Sequence, residues 1–148
     1  MKEEKMRQKL MLMPLNQLEK KADKEFQLRR RMEEANKDGI VRCITCNTIG
    51  HYKSFDAGHF IPRGHKGTRH EVINVWPQCK RCNKWLNGDH ARYRDQLIKK
   101  IGKDGVEHLE ASKDLPKWGP GTSYRDWCIE VFIYSHHLIK TNFREIYG

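Results

Sequence analysis

Two Cys-x2-Cys pairs, Cys43/Cys46 and Cys79/Cys82, stand 32 residues apart and constrain this chain more than any other feature. Zinc takes four ligands in a tetrahedron, and a Cys-x2-Cys turn presents two thiolates to one ion at about 2.3 Å. Two such turns close the shell and leave no position for a substrate, so the implied ion is structural. It would tie the start of the central segment to its end. Metal binding contributes on the order of 10 kcal/mol to a small fold, which would compensate for a thin core. The competing reading, a redox pair or buried thiols, is weakened by the doubling of the motif. The fifth cysteine, Cys128, lies on an apolar helical stripe and reads as a small core residue.

The 148 residues suffice for one domain with a modest core. Hydrophobic residues make up 37% and charged residues 32%, a polar balance that implies exposed helix. The formal charge of +10 favours a polyanionic partner, nucleic acid or an anionic membrane surface. No apolar run reaches the roughly 18 residues of a spanning helix. The opening MKEEKMRQKLMLM is charged and has no long apolar region, so no signal peptide and a cytosolic setting are expected. Structural disulfides are not expected there.

Three segments follow from the patterning. Residues 1–38 read as a charged, helical N-terminal extension, with a helix over residues 15–35 whose apolar face is Leu15, Leu18, Ala22 and Phe26. Gly39 is its expected end. Residues 39–110 hold both cysteine pairs and 13 Lys+Arg against 7 Asp+Glu. Their pattern is knuckle, strand, loop, strand, knuckle, helix. FDAGHFI and EVINVWPQC are the strand candidates, and PRGHKGTRH is the loop between them. A supporting helix is expected over residues 84–101, stopped by Gly102, with Tyr93 and Leu97 against the knuckle. Residues 111–148 carry a capping box, Ser123-x-x-Asp126. Beyond it Tyr124, Trp127, Cys128, Val131, Phe132, Ser135, Leu138 and Ile139 form an amphipathic stripe expected to pack on the rest.

CITC, DAGHFIP, the Asn74 of VINVWPQC, and CKRCN with the later Gly88 together resemble an HNH endonuclease core, the ββα-metal or His-Me finger. More narrowly, the combined pattern through YR-x-x-L resembles the NinG/Rap recombination proteins of lambdoid phages. The resemblance covers about residues 40–110. It implies an α+β fold, a small zinc-stabilised ββα-metal core flanked by an N-terminal helix and a C-terminal amphipathic helix. It further implies a metal-dependent DNA endonuclease, with His59 as general base and with Asp56, His59 and Asn83 as the candidate ligands of a divalent ion, Mg²⁺ or Mn²⁺. Asn74 would orient the base or its loop. Asn83 also suits a helix N-cap. Where many HNH proteins carry Asp or His before the base, this chain has Gly58. Asp56 stands three residues before His59, and odd offsets on a strand face opposite ways. Asp56 would reach the same ion only if the strand bends or bulges at Gly58.

The residue types suit that chemistry independently. Phosphodiester hydrolysis needs a base for water and positive charge on the leaving oxygen, and a neutral imidazole can take a proton near neutral pH. Arg63, Lys66, Arg69, Lys80, Arg81, Lys84, Arg92 and Arg94 surround the proposed site in sequence and are candidate phosphate contacts, Arg63 first among them. Trp76 and Trp85 suit packing around the zinc better than stacking on bases. His51, His65, His70, His90 and His108 are expected on the surface or near phosphate. His136 and His137 face different ways on a helix and are not expected to share a metal. DNA, branched or junction DNA included, is the implied partner, and cutting two strands would require a homodimer. No membrane is implied. Two other functions remain on the sequence alone: a non-catalytic zinc-ribbon DNA-binding protein, and a protein-interaction domain using the last helix.

Overall fold

The narrow apolar stripe of the N-terminal segment folds as α2 (Leu15–Glu33) and buries Leu18, Ala22 and Phe26. The computed structural model describes residues 1–143, so residues 144–148 of the C-terminal segment lie outside the described residues. Pro14 caps α2 with its φ at −57° and separates it from α1 (Lys2–Met11), a helix the sequence reading did not resolve. Only Leu10 of α1 is buried, which explains its faint periodic signal. The chain leaves α2 at Glu34, not at Gly39. Gly39 instead takes a φ of +78° in the turn that follows, where a Cβ would lie 2.6 Å from His51 Nε2.

Two separate antiparallel hairpins follow. β1 (Ile40–Arg42) pairs with β2 (Ile49–His51), and the first cysteine pair lies on the turn between them. β3 (Asp56–His59) pairs with β4 (Val75–Gln78), Asp56 opposite Gln78 and His59 opposite Val75. These are the predicted strands, shorter than their sequence runs. Beyond β4 the expected helix does not begin at once. A single π-helical turn spans Arg81–Trp85. Asn87, Gly88 and Asp89 then take positive φ, which breaks the helix, and α3 (His90–Ser112) starts afterwards. Gly102 is non-helical, as its stop role required, yet the chain re-enters helix beyond it and buries Val106 and Leu109. α4 (Tyr124–Leu138) starts at a complete capping box of Ser123 and Asp126.

The architecture is α+β, with helices packed around small sheets. α4 lies along α2 and buries Tyr124, Cys128, Val131 and Phe132 against Leu18, Ala22 and Phe26. Cys128 is fully buried there, a core residue. A second cluster joins Tyr93 and Leu97 of α3 to Ile44 of the first knuckle, Phe60, Ile61 and Trp76. A third surrounds Cys43 and Cys82 with Val41, Tyr52 and Phe55. α2 is woven into the hairpins. Arg30, its side chain 2% exposed, donates to the carbonyls of Val72 and Val75 and lies 4.9 Å over Trp76. Arg31 donates to the carbonyls of Tyr52 and Phe55 at the entrance to β3. Among the described residues, no helix is long and apolar enough to cross a membrane.

Candidate metal centre and adjoining cleft

The hairpin turn after β1 and the turn after β4 bring Cys43, Cys46, Cys79 and Cys82 together, with all four sulfurs within 4.8 Å of one another. Cys46 and Cys79 Sγ are 3.7 Å apart, close to the roughly 3.8 Å edge of a tetrahedron built on Zn–S bonds near 2.3 Å. The backbone N–H groups of Cys79 and Cys82 point at the sulfurs of Cys43 and Cys79. An all-thiol donor set of this size fits a structural ion such as zinc and leaves no open position.

The same turn carries Asn83, whose backbone N–H donates to Cys79 O. Its side chain donates from Nδ2 to Asp56 Oδ2 at 3.0 Å. Lys80 Nζ lies 2.8 Å from the other oxygen, Oδ1. Burial alone would raise the pKa of Asp56, but the hydrogen bonds from Lys80 and Asn83 override it and hold the carboxyl below its usual value. Asp56 is therefore ionised at neutral pH.

His59 sits at the far end of β3, half-buried, with Nε2 2.9 Å from the carbonyl of Arg69. A carbonyl only accepts, so Nε2 carries the proton and Nδ1 keeps its lone pair. Burial pulls the pKa of His59 down to about 4, with Arg63 acting in the same sense against the Arg69 carbonyl. The ring is neutral at pH 7. His59, Asp56 and Asn83 all line one open cleft of about 490 Å³, together with Arg31, Lys53, Arg63, Lys80 and Lys84. An ionised carboxylate and a carboxamide oxygen are the hard donors that Mg²⁺ or Mn²⁺ takes.

No bulge interrupts β3 at Gly58, because β3 and β4 stay in continuous register. Asp56 and His59 line the same cleft without it. Gly58 serves a different need: a Cβ there would come within 2.0 Å of Gln78 Oε1. Asn83 occupies a one-turn helix set apart from α3, not the start of a long helix.

Asn74 is fully buried and does not reach the cleft. Its Oδ1 accepts from Ile61 N–H, and its Nδ2 donates to the carbonyls of Ile61 and Thr68. It therefore pins both ends of the loop that carries the Arg69 carbonyl over His59.

The basic candidates divide. Arg63, Lys80 and Lys84 line the cleft, and Arg81 is exposed beside it. Arg69 does not face it: its guanidinium is bonded to Asp23 and lies 3.4 Å from Glu19. Lys66 sits 4.5 Å over the ring of Tyr124, Arg92 pairs with Asp89, and Arg94 is bidentate to Glu110. Arg31 and Lys53 line the cleft and were missed, since nothing local in the sequence reports that α2 crosses β3.

The aromatic and histidine expectations also divide. Trp76 packs in the core, but Trp85 is 83% exposed. His70 is a core residue, bonded to Asp23 through Nε2 and accepting from Trp127 Nε1 at Nδ1. The signal missed was a charged partner on another element. His51, His90 and His108 are exposed, and His65 reaches Asp114. His136 contacts Glu25 while His137 points to solvent.

Comparison with known proteins adds the family. The chain is 30% identical to Protein ninG of Escherichia phage lambda over 83 residues, 55% of this chain and 40% of that protein. The identity to Protein ninG of Escherichia phage 933W is also 30% over 83 residues, 41% of that protein. The matched stretch thus covers about two fifths of these relatives' length. No solved structure matches the chain. The family model described as Bacteriophage Lambda NinG protein matches residues 1–125, and with that span of its length matched, the chain belongs to the NinG family.

Proposed function

We propose that this NinG-family protein is a metal-dependent DNA endonuclease of the HNH type, acting in phage recombination on branched DNA such as four-way junctions. The observation that carries the reading is the shared cleft: a neutral imidazole with a free Nδ1, an ionised carboxylate and a carboxamide oxygen lie amid five cationic side chains.

The roles follow from the chemistry of each group. Arg63, Lys53 and Lys84 draw the phosphate backbone into the cleft and hold it by charge, without reading sequence. His59 Nδ1 accepts a proton from water as the water oxygen bonds to phosphorus. The bond from phosphorus to the 3′ oxygen breaks, and that oxygen takes a proton from solvent, leaving a 3′-hydroxyl and a 5′-phosphate. The Arg69 carbonyl fixes the ring so that Nδ1, not Nε2, does this work. Asp56 and Asn83 would hold a Mg²⁺ or Mn²⁺ ion, which supplies positive charge for the departing oxygen. Cutting both strands of a junction requires two such clefts, hence a homodimer.

The test is cleavage of supercoiled plasmid and of a four-way junction, with Mg²⁺ and with Mn²⁺, by wild type and His59→Ala. Metal-dependent cleavage is expected from wild type, with loss of about 10²-fold or more in the variant and retained DNA binding. DNA retention with no cleavage under either metal would leave a zinc-bearing DNA-binding protein as the better reading.

A further inference from the structure

We propose that Trp85 is the base-stacking platform of this protein: its indole takes the face of a nucleobase that is not paired in a duplex, and so sets which phosphodiester lies in the cleft. The inference rests on the DNA-processing reading above and adds to it a positioning residue outside the catalytic groups.

The argument begins with the cost of the arrangement. Trp85 is 83% exposed, whereas the other three tryptophans are buried or half-buried. Leu86 beside it is 40% exposed. The exposure is imposed by the backbone. Cys82 N–H points to Cys79 Sγ, Asn83 N–H donates to Cys79 O, Leu86 N–H to Arg81 O and Gly88 N–H to Cys82 O. Gln78 Nε2 closes the far side on Gly88 O at 2.9 Å. The turn that displays Trp85 is thus pinned to the cysteine cluster, and the indole stands out from a rigid base.

Its neighbours fit one occupant. Arg81 and Lys84 share the turn and are exposed, and Asn83 two residues earlier lines the cleft. A flat apolar ring set among cations, beside a cleft lined with cations, matches a base and its flanking phosphates. Stacking on an aromatic side chain is indifferent to base identity but needs a free base face. In a duplex both faces of each base are covered, and inserting a rigid ring costs unstacking. A single strand or a branch point offers the face at no such cost.

The test uses the full-length zinc-loaded protein without added Mg²⁺ or Mn²⁺. Its probes are a single strand, a fork with one unpaired arm, and a blunt duplex, each carrying 2-aminopurine and a fluorophore for anisotropy. The inference expects 2-aminopurine quenching on the single strand or fork. It expects Trp85→Ala to weaken binding to those probes roughly 10- to 100-fold, with little change on the duplex and an unchanged melting temperature. Trp85→Phe should restore most of the loss. Quenching on the fork alone would assign the base to a branch point, and quenching on both to any unpaired strand. Trp85→Ala that binds every probe as wild type does would overturn the inference alone. Wild type that binds no DNA would overturn it together with the nuclease reading.

Discussion

Asn83 donates its side-chain amide to Asp56 across 27 positions of sequence, at 3.0 Å. That bond joins the first strand of the β3–β4 hairpin to the turn that carries the second cysteine pair. The cleft and the cysteine cluster are consequently one mechanical unit, because the residues on either side of Asn83 are Cys82 and a cleft-lining lysine.

Asp56→Asn should separate chemistry from folding. Asn keeps the size of the side chain and one oxygen that can accept from Asn83, but it removes the charge. The lost pair with Lys80, whose side chain is 53% exposed, is worth only about 0–1 kcal/mol. Plasmid nicking should fall by about 10²-fold or more, while the melting temperature moves by a few degrees at most. Nicking at the wild-type rate would remove Asp56 from the site.

Removing the ion from the cysteine cluster should unfold the central region. Binding worth on the order of 10 kcal/mol is comparable to the whole stability of a domain, about 5–15 kcal/mol. Atomic absorption should find one zinc per chain. Chelation by phenanthroline, or Cys82→Ser, should abolish the cooperative melting transition. A zinc-free protein with an unchanged transition would show the thiols to be structural without metal.

The cysteine pairs, both strands and the last helix were legible in the sequence because each rests on local chemistry: a turn spacing, an alternation, a capping box. The position of α2 was not, because it depends on Arg30 and Arg31 reaching backbone carbonyls more than 20 residues away. Asp56 illustrates the limit of period-two reasoning. It shares a cleft with His59 without a bulge, since residues at the two ends of a short strand can both border the same opening. Trp85 illustrates another limit: composition reports that a tryptophan is present and says nothing of a backbone that holds it in solvent. Arg69 and His70 were misread for the converse reason, since their partner Asp23 lies on α2.

Gly58→Ala should destabilise the β3–β4 hairpin. The added methyl would meet Gln78 Oε1 at 2.0 Å and Gln78 Cβ at 2.9 Å, inside a buried strand pair. Overpacking of this kind costs about 1–3 kcal/mol, read as a lower midpoint in urea. Gln78→Ala in the same chain should recover part of the loss, because the Oε1 clash disappears with the side chain. No recovery would place the strain in the backbone instead.

Asp23 should govern the acid limb of stability. Its carboxylate, 8% exposed, accepts from Arg69 Nε and Nη2 and from His70 Nε2. Trp127 donates to His70 Nδ1, which orients the ring so that Nε2 faces Asp23. Burial alone would raise the Asp23 pKa, but these hydrogen bonds, with the charge of Arg69, hold it well below the usual carboxylate range. A folded-state pKa below the unfolded value, about 3.9 for aspartate, means that the unfolded chain binds the proton first as pH falls. The stabilisation is complete above that value and drains away as pH drops toward the folded pKa. Urea midpoints measured at pH 7, 5 and 3 should therefore fall steeply between the last two for wild type. Asp23→Ala should cost about 1–3 kcal/mol at pH 7, since it leaves the N–H donors of Arg69 and His70 without their acceptor while Glu19 stays 3.4 Å from Arg69, and should show a flatter decline between pH 5 and 3. A variant whose decline matches that of wild type would assign acid sensitivity to other carboxylates.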